Sequence, residues 1–257
     1  MTNRRRRSVL SGLTSAVVLL MDSPSSDSAE ATGALQKPFT MTPGILNSHV
    51  RPATRWLLAN FGDIFRSKLA GTPISLALLC AVACQESAYT WFDRTIFVKG
   101  RSPAEMMRLL VLDNVQSRKQ FPANTAAFLA AAQYADIAPG LIKISDESRI
   151  ARGYKPTGNL LYGYGLFQYD LQNIESDPSF WRERQSSVSG VGSTQGLWGD
   201  VGACTDRFIR LFMAKLKNHG NDLTAALISY NGKGPNARAY ADIVLGYQSL
   251  AALETTG

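Results

Sequence analysis

Glu86 lies in Cys84-Gln85-Glu86-Ser87-Ala88-Tyr89, at the end of an apolar run from Leu76 to Cys84 that reads as a buried helix. A carboxyl held at such an end is stripped of water. Burial disfavours its charged form and raises its pKa, which turns an ordinary glutamate into a proton donor near neutral pH. A lone glutamate at a helix end more often faces solvent. This one is followed by Gly163-Tyr164-Gly165-Leu166-Phe167-Gln168 and by Ser229-Tyr230-Asn231-Gly232, two segments rich in glycine and hydrogen-bonding side chains. Gly163 and Gly165 let a backbone approach a ligand closely, because glycine adopts conformations that side chains forbid. Glu86 is the candidate general acid.

Taken in order, Gln85-Glu86-Ser87-Ala88, Gly165-Leu166-Phe167-Gln168, Ser229-Tyr230-Asn231 and the later Tyr240 resemble the lytic transglycosylase and goose-type lysozyme superfamily. Its pattern is Glu-Ser, then Gly-Leu-Met-Gln, then Ala-Tyr-Asn-x-Gly, then a tyrosine. The resemblance spans Leu76 to Tyr247. It implies a mainly α, lysozyme-like domain that acts on peptidoglycan glycan strands without a cofactor. It also implies that Glu86 protonates the glycosidic oxygen and then acts as base on the muramic acid C6 hydroxyl, closing a 1,6-anhydro ring without water. Ser87, Gly165, Gln168, Asp170, Tyr230, Asn231 and Tyr240 are the expected substrate-binding residues. Gln168 would bond near the acid or the sugar, and Tyr230 and Asn231 would hold Glu86 and an N-acetyl group. Phe167 stands where the family has Met, and Gly232-Lys233-Gly234 replaces the simple ending of the third block. Glu86 lies 79 residues before Gly165, farther than the family spacing. An inserted segment between the catalytic helix and the Gly-Leu-Phe-Gln block is therefore expected.

Several alternatives compete with this assignment. Asp170, just after Gln168, matches an acidic position of goose-type lysozymes, and a hydrolase needs such a second carboxylate. Asp146-Glu147-Ser148 offers another Glu-Ser only 18 residues before Gly165, although Glu147 lacks a long apolar helix before it and reads as part of a wet, charged loop. Glu147 or Asp146 is also a candidate substrate contact. A catalytically silent module that binds glycan is the reading outside enzymology, and a chitin hydrolase is a further one within it. Tyr162, Tyr164, Phe167 and Tyr169 are candidates for a sugar-stacking groove or for core.

The elements that must position these residues are mostly helical. Trp56, Leu57, Phe61, Ile64, Phe65 and Leu69 follow a helical period after Pro52, which predicts a helix from about Thr54 to Ala70 packed on the Leu76 to Tyr89 helix. Ser102-Pro103-Ala104-Glu105 is a capping box that starts a helix toward Gln120. Pro122 opens another, ending near Ala135. Pro139, Gly153, Pro156 and Gly158 mark an irregular stretch from Gly140 to Leu161 around Leu141–Ile144, suited to a lid or insert. Helices follow over Val201 to His219, over Asp222 to Ser229 with Asp222 as cap, and from Pro235 onward, with Tyr240, Ile243, Val244 and Tyr247 on one face.

A chain of 257 residues with 45% apolar content can bury one full core. Four arginines at positions 4–7 precede the apolar run Val9 to Met21, and Ala29-Glu30-Ala31 supplies small residues for cleavage. Residues 1–31 thus read as a signal peptide, with a resemblance to a twin-arginine export signal at Arg6-Arg7-Ser8-Val9-Leu10. Residues 32–50 read as a linker and 51–257 as the catalytic domain. The apolar run is short for a bilayer span, so no permanent anchor is expected. The alternative is a disordered basic tail on a cytoplasmic or injected protein. The net charge is +7, of which +6 lies beyond the leader, and suits an anionic polymer. No helix-turn-helix, zinc spacing or interleaved basic and aromatic stretch favours nucleic acid. Cys80 and Cys84 share a helix face at a spacing that does not bridge comfortably, so either pairs with Cys204 or all three stay reduced. His49 and His219 have no metal-ligand spacing with a cysteine.

Overall fold

The apolar periodicity carries through to the computed structural model, which describes residues 44–93, 100–114, 118–182 and 196–256. All of these belong to one compact unit. The expected signal peptide at 1–31 and the linker up to residue 43 lie outside the described residues. The chain is mainly helical, with a single two-stranded sheet among the described residues.

Helix α1 (Asn47–Leu69) buries Val50, Ala53, Leu57, Phe61 and Phe65, a stripe at three- and four-residue steps. It begins seven residues before the expected start, because Pro52 is tolerated inside it. The proline removes one donor near the amino-terminal end, while the apolar stripe already begins at Val50. Helix α2 (Leu76–Glu86) is capped by Ser75, whose Oγ accepts from the Leu78 amide at 3.1 Å. It is buried on every side from Ala77 to Gln85, as expected of a helix at the centre of a core. It ends at Glu86 rather than Tyr89, and a short π-helical turn (Tyr89–Asp93) follows. Trp91 in that turn packs on Trp56 of α1 with ring centroids 4.9 Å apart.

The capping box at Ser102 is present, but α3 (Pro103–Arg108) stops after six residues and does not reach Gln120. The reason lies downstream. Val111 pairs with Tyr164, the Leu112 amide donates to Gly163 O at 3.0 Å, and the Gly165 amide donates to Leu110 O at 2.7 Å. This extended pairing pulls the segment out of helix. Helix α4 (Thr125–Leu129) starts from an Asn124 cap rather than from Pro122. The stretch expected to be irregular holds α5 (Ala138–Ala151), with Pro139 inside its first turn, where the missing amide hydrogen costs nothing.

Strands β1 (Gly163–Tyr164) and β2 (Tyr169–Asp170) form an antiparallel hairpin. Beyond the short α6 (Ser179–Arg182), three helices close the molecule: α7 (Val201–Asn218), α8 (Leu223–Asn231) and α9 (Pro235–Thr255). These match expectation closely, including the Asp222 cap, which accepts from the Ala225 amide at 2.9 Å. Helix α2 lies against α1 and α9, and α8 bridges α7 and α9. The carboxyl end of α2 is thereby enclosed by α8, α9 and the hairpin. Among the described residues, no helix is long and apolar enough to cross a membrane. Cys80, Cys84 and Cys204 are buried and form no disulfide, so neither pairing with Cys204 is formed.

Candidate active site

Ser87, Leu166, Phe167, Tyr230, Tyr240 and Glu86 are joined by three hydrogen bonds that bring the separate sequence blocks together. Ser87 Oγ donates to Leu166 O at 2.9 Å, which fastens the end of α2 to the hairpin turn. Tyr230 Oη, from the end of α8, donates to Phe167 O at 3.3 Å. Tyr240 Oη, from α9, donates to Glu86 Oε1 at 2.6 Å. The Tyr230 and Tyr240 rings lie 6.3 Å apart.

Glu86 is mostly enclosed yet partly open to the surface. Burial pushes its pKa from the ordinary 4.5 up to about 7, and the bond from Tyr240 works against that rise by favouring the carboxylate. Tyr230 and Tyr240 are themselves pushed well above the usual tyrosine range, first by burial and then by the Glu86 charge. Tyr89, three residues after Glu86, is raised by burial and again by Glu86, with Arg152 opposing. One carboxyl, ringed by three tyrosines that stay protonated, is thus poised to exchange a proton near neutrality.

The Gly165–Gln168 turn shows why its glycine is needed. Gly165 has φ of +75°, and a Cβ there would meet Cys204 Sγ and, at 2.8 Å, Trp198 O. Gln168 also takes a positive φ, +50°. Its Nε2 donates to Gly165 O at 2.8 Å and to Leu110 O at 3.4 Å, so the side chain folds back on its own turn instead of reaching Glu86. Its Oε1 is buried against Gly163 and has no hydrogen-bond partner among the described residues.

Asp170 is likewise committed to structure. One carboxylate oxygen accepts from the Gln172 amide at 2.8 Å, capping a short 3-10 helix (Leu171–Glu175), and the other is bound by Arg118. Asn231 ends α8 beside Tyr230 and is exposed. Tyr162, Tyr164, Phe167 and Tyr169 are buried, not a sugar platform: Tyr164 packs between Trp181 and Trp198, and Phe167 stacks on Phe208 at 4.9 Å.

Glu147 sits on α5 rather than in a loop. Arg108 holds it at 2.7 Å. Asp146 is not a cleft residue either: it pairs with Arg149 at 3.1 Å and accepts from the Thr157 and Gly158 amides, which fixes the loop after α5. Sequence reasoning missed Arg152 and Tyr154, whose side chains meet each other and whose charges are felt by Tyr89. Only their position after α5 could have marked them, and α5 itself was not foreseen. Among the described residues no cluster of three His, Cys, Asp or Glu could hold a metal ion. Compared with family models, with curated proteins and with solved structures, the chain matches none.

Proposed function

We propose that the protein is a peptidoglycan lytic transglycosylase with a lysozyme-like helical domain, in which the segment between Glu86 and Gly165 is an insertion. Glu86 protonates the oxygen between N-acetylmuramic acid and N-acetylglucosamine, then takes a proton from the muramic acid C6 hydroxyl as that oxygen closes on C1. The observation that carries the reading is the Glu86 carboxyl itself: buried at a helix end, raised to about 7 and bonded to Tyr240 at 2.6 Å. The convergence of Ser87, Leu166, Phe167 and Tyr230 around it supports the same reading. Intramolecular closure needs one acid-base group, and Glu86 serves both steps. Hydrolysis needs a second carboxylate, and Asp170 already has both oxygens engaged. The export signal expected over residues 1–31 is in keeping with a cell-wall substrate.

The test compares Glu86→Gln with Glu147→Gln on purified peptidoglycan, with both variants shown to be folded. Glu86→Gln should lower turnover by about 10²–10⁴-fold, the usual worth of a general acid, while Glu147→Gln stays near wild type. Mass spectrometry of the products should find anhydro ends. Reducing ends would replace the reaction by hydrolysis, and full activity in Glu86→Gln would remove the site.

A further inference from the structure

The carboxyl-terminal end of α5 presents two side chains on a rigid turn. Gly153 adopts φ of +81°, its amide donates to Ile150 O at 2.9 Å, and the Tyr154 amide donates to Arg149 O at 2.8 Å. This is a Schellman closure, which fixes the backbone on both sides of the glycine. Arg152 precedes the glycine and Tyr154 follows it. Their side chains meet, with the guanidinium carbon 5.5 Å from the ring centroid. Tyr154 is 56% exposed, although it is a large ring beside a well-packed core.

Arg152 differs from the other arginines of this region. Arg108 is paired with Glu147, Arg118 with Asp113 and Asp170, and Arg149 with Asp146. Arg152 is half-buried, and its Nε donates to Ser148 O at 3.2 Å. Its two terminal nitrogens have no protein partner among the described residues. Burial lowers its pKa, and the groups that oppose this are Tyr89 and Tyr154, not a carboxylate. A partly desolvated guanidinium with its planar fork unfilled matches a carboxylate in shape and charge. Hydrogen bonds tie this corner to the hairpin that holds the end of α2: Ser148, which Arg152 contacts, donates its Oγ to Val111 O at 2.6 Å, Val111 pairs with Tyr164, and Leu166 two residues on accepts from Ser87. The Tyr89 hydroxyl, three residues on from Glu86, feels both Arg152 and the Glu86 charge.

We propose that Arg152, set against the Tyr154 ring, binds an acidic substituent of the glycan beside the bond that Glu86 cleaves. The substrate is then a carboxylate-bearing glycan rather than a neutral N-acetylglucosamine polymer. This rests on the assignment of Glu86 as the acid, and it adds the feature by which the strand is recognised and set in register. The competing role for Arg152 is to complement the negative end of α5, which any cation in the last turn would do. Lysine keeps that role and loses the planar fork.

The test uses the full chain carrying Glu86→Gln, so that ligands are not consumed. Two peptidoglycan-derived tetrasaccharides are titrated calorimetrically, one with free peptide carboxylates and one with the same carboxylates amidated. The charged ligand should bind about tenfold more tightly, as one charge-assisted contact implies. Adding Arg152→Gln should erase that preference, and adding Arg152→Lys should retain only part of it, with thermal melting confirming that each variant is folded. A preference that survives Arg152→Gln, or a parent chain that shows none or binds neither ligand, overturns the proposal. Failure of the catalytic reading looks different: the wild-type chain leaves peptidoglycan intact while the Arg152-dependent preference remains.

Discussion

Tyr240 Oη donates to a carboxyl that burial is holding in its protonated form, so the two influences on Glu86 pull in opposite directions. Burial is the larger, and the balance falls near pH 7. A general acid works only while protonated, so kcat/KM should fall as pH rises through that value. Tyr240→Phe removes the one influence that favours the carboxylate. The alkaline limb of the pH profile should therefore move to higher pH, by about one pH unit for a hydrogen bond of ordinary strength. A limb that stays in place, or moves lower, would show that Tyr240 does not set the proton affinity of Glu86. At this scale residue type was a fair guide for Glu86 and Tyr240 and a poor one for Gln168 and Asp170. Both of the latter are polar residues in the expected positions, yet one is held by its own turn and the other by Arg118.

Ser87 is the joint between elements. Its Oγ donates to Leu166 O and accepts from Trp91 Nε1 at 3.2 Å, so it ties α2, the π-helical turn and the hairpin turn at one buried point. Ser87→Ala leaves a buried indole N–H and a buried carbonyl without that partner, and should cost about 1–3 kcal/mol of unfolding free energy in urea. Activity should fall with it, since Glu86 is the residue immediately before Ser87. A variant as stable as wild type would show that the joint is not needed. Helix α2 was legible as an unbroken apolar run, and α7, α8 and α9 from their apolar content and local start or stop signals: Asp222 before α8, Pro235 at the head of α9. The length of α3 was not legible, because the pairing that ends it joins Leu110–Leu112 to residues more than fifty positions away. Pro139 read as loop punctuation but occupies the first turn of α5, where it does not break a helix. With α5 hidden, the corner formed by Arg152 and Tyr154 could not be foreseen.

The whole molecule bears the consequence of keeping Glu86 enclosed by α2, α8, α9 and the hairpin. In the unfolded chain this carboxyl loses its proton near 4.5, and in the folded chain only near 7. Between those values the folded state binds more protons, so the stability contributed by neutral Glu86 is complete below 4.5 and is lost as pH rises through 7. The loss amounts to roughly 3 kcal/mol, comparable to burying one large apolar side chain. Glutamine fills the same space without a charge. Glu86→Gln should therefore match wild type at pH 4 and exceed it by roughly 3 kcal/mol at pH 8, as read from urea unfolding at both values. Carboxylates that folding favours, such as Asp177 between Arg207 and Arg210, impose the opposite trend, but they do so in both proteins and cancel from the difference. A gain that does not vary with pH would mean that Glu86 ionises as freely in the folded chain as in the unfolded one. A substitution that stabilises the fold at pH 8 while removing turnover is the mark of a group kept at the expense of stability for its chemistry.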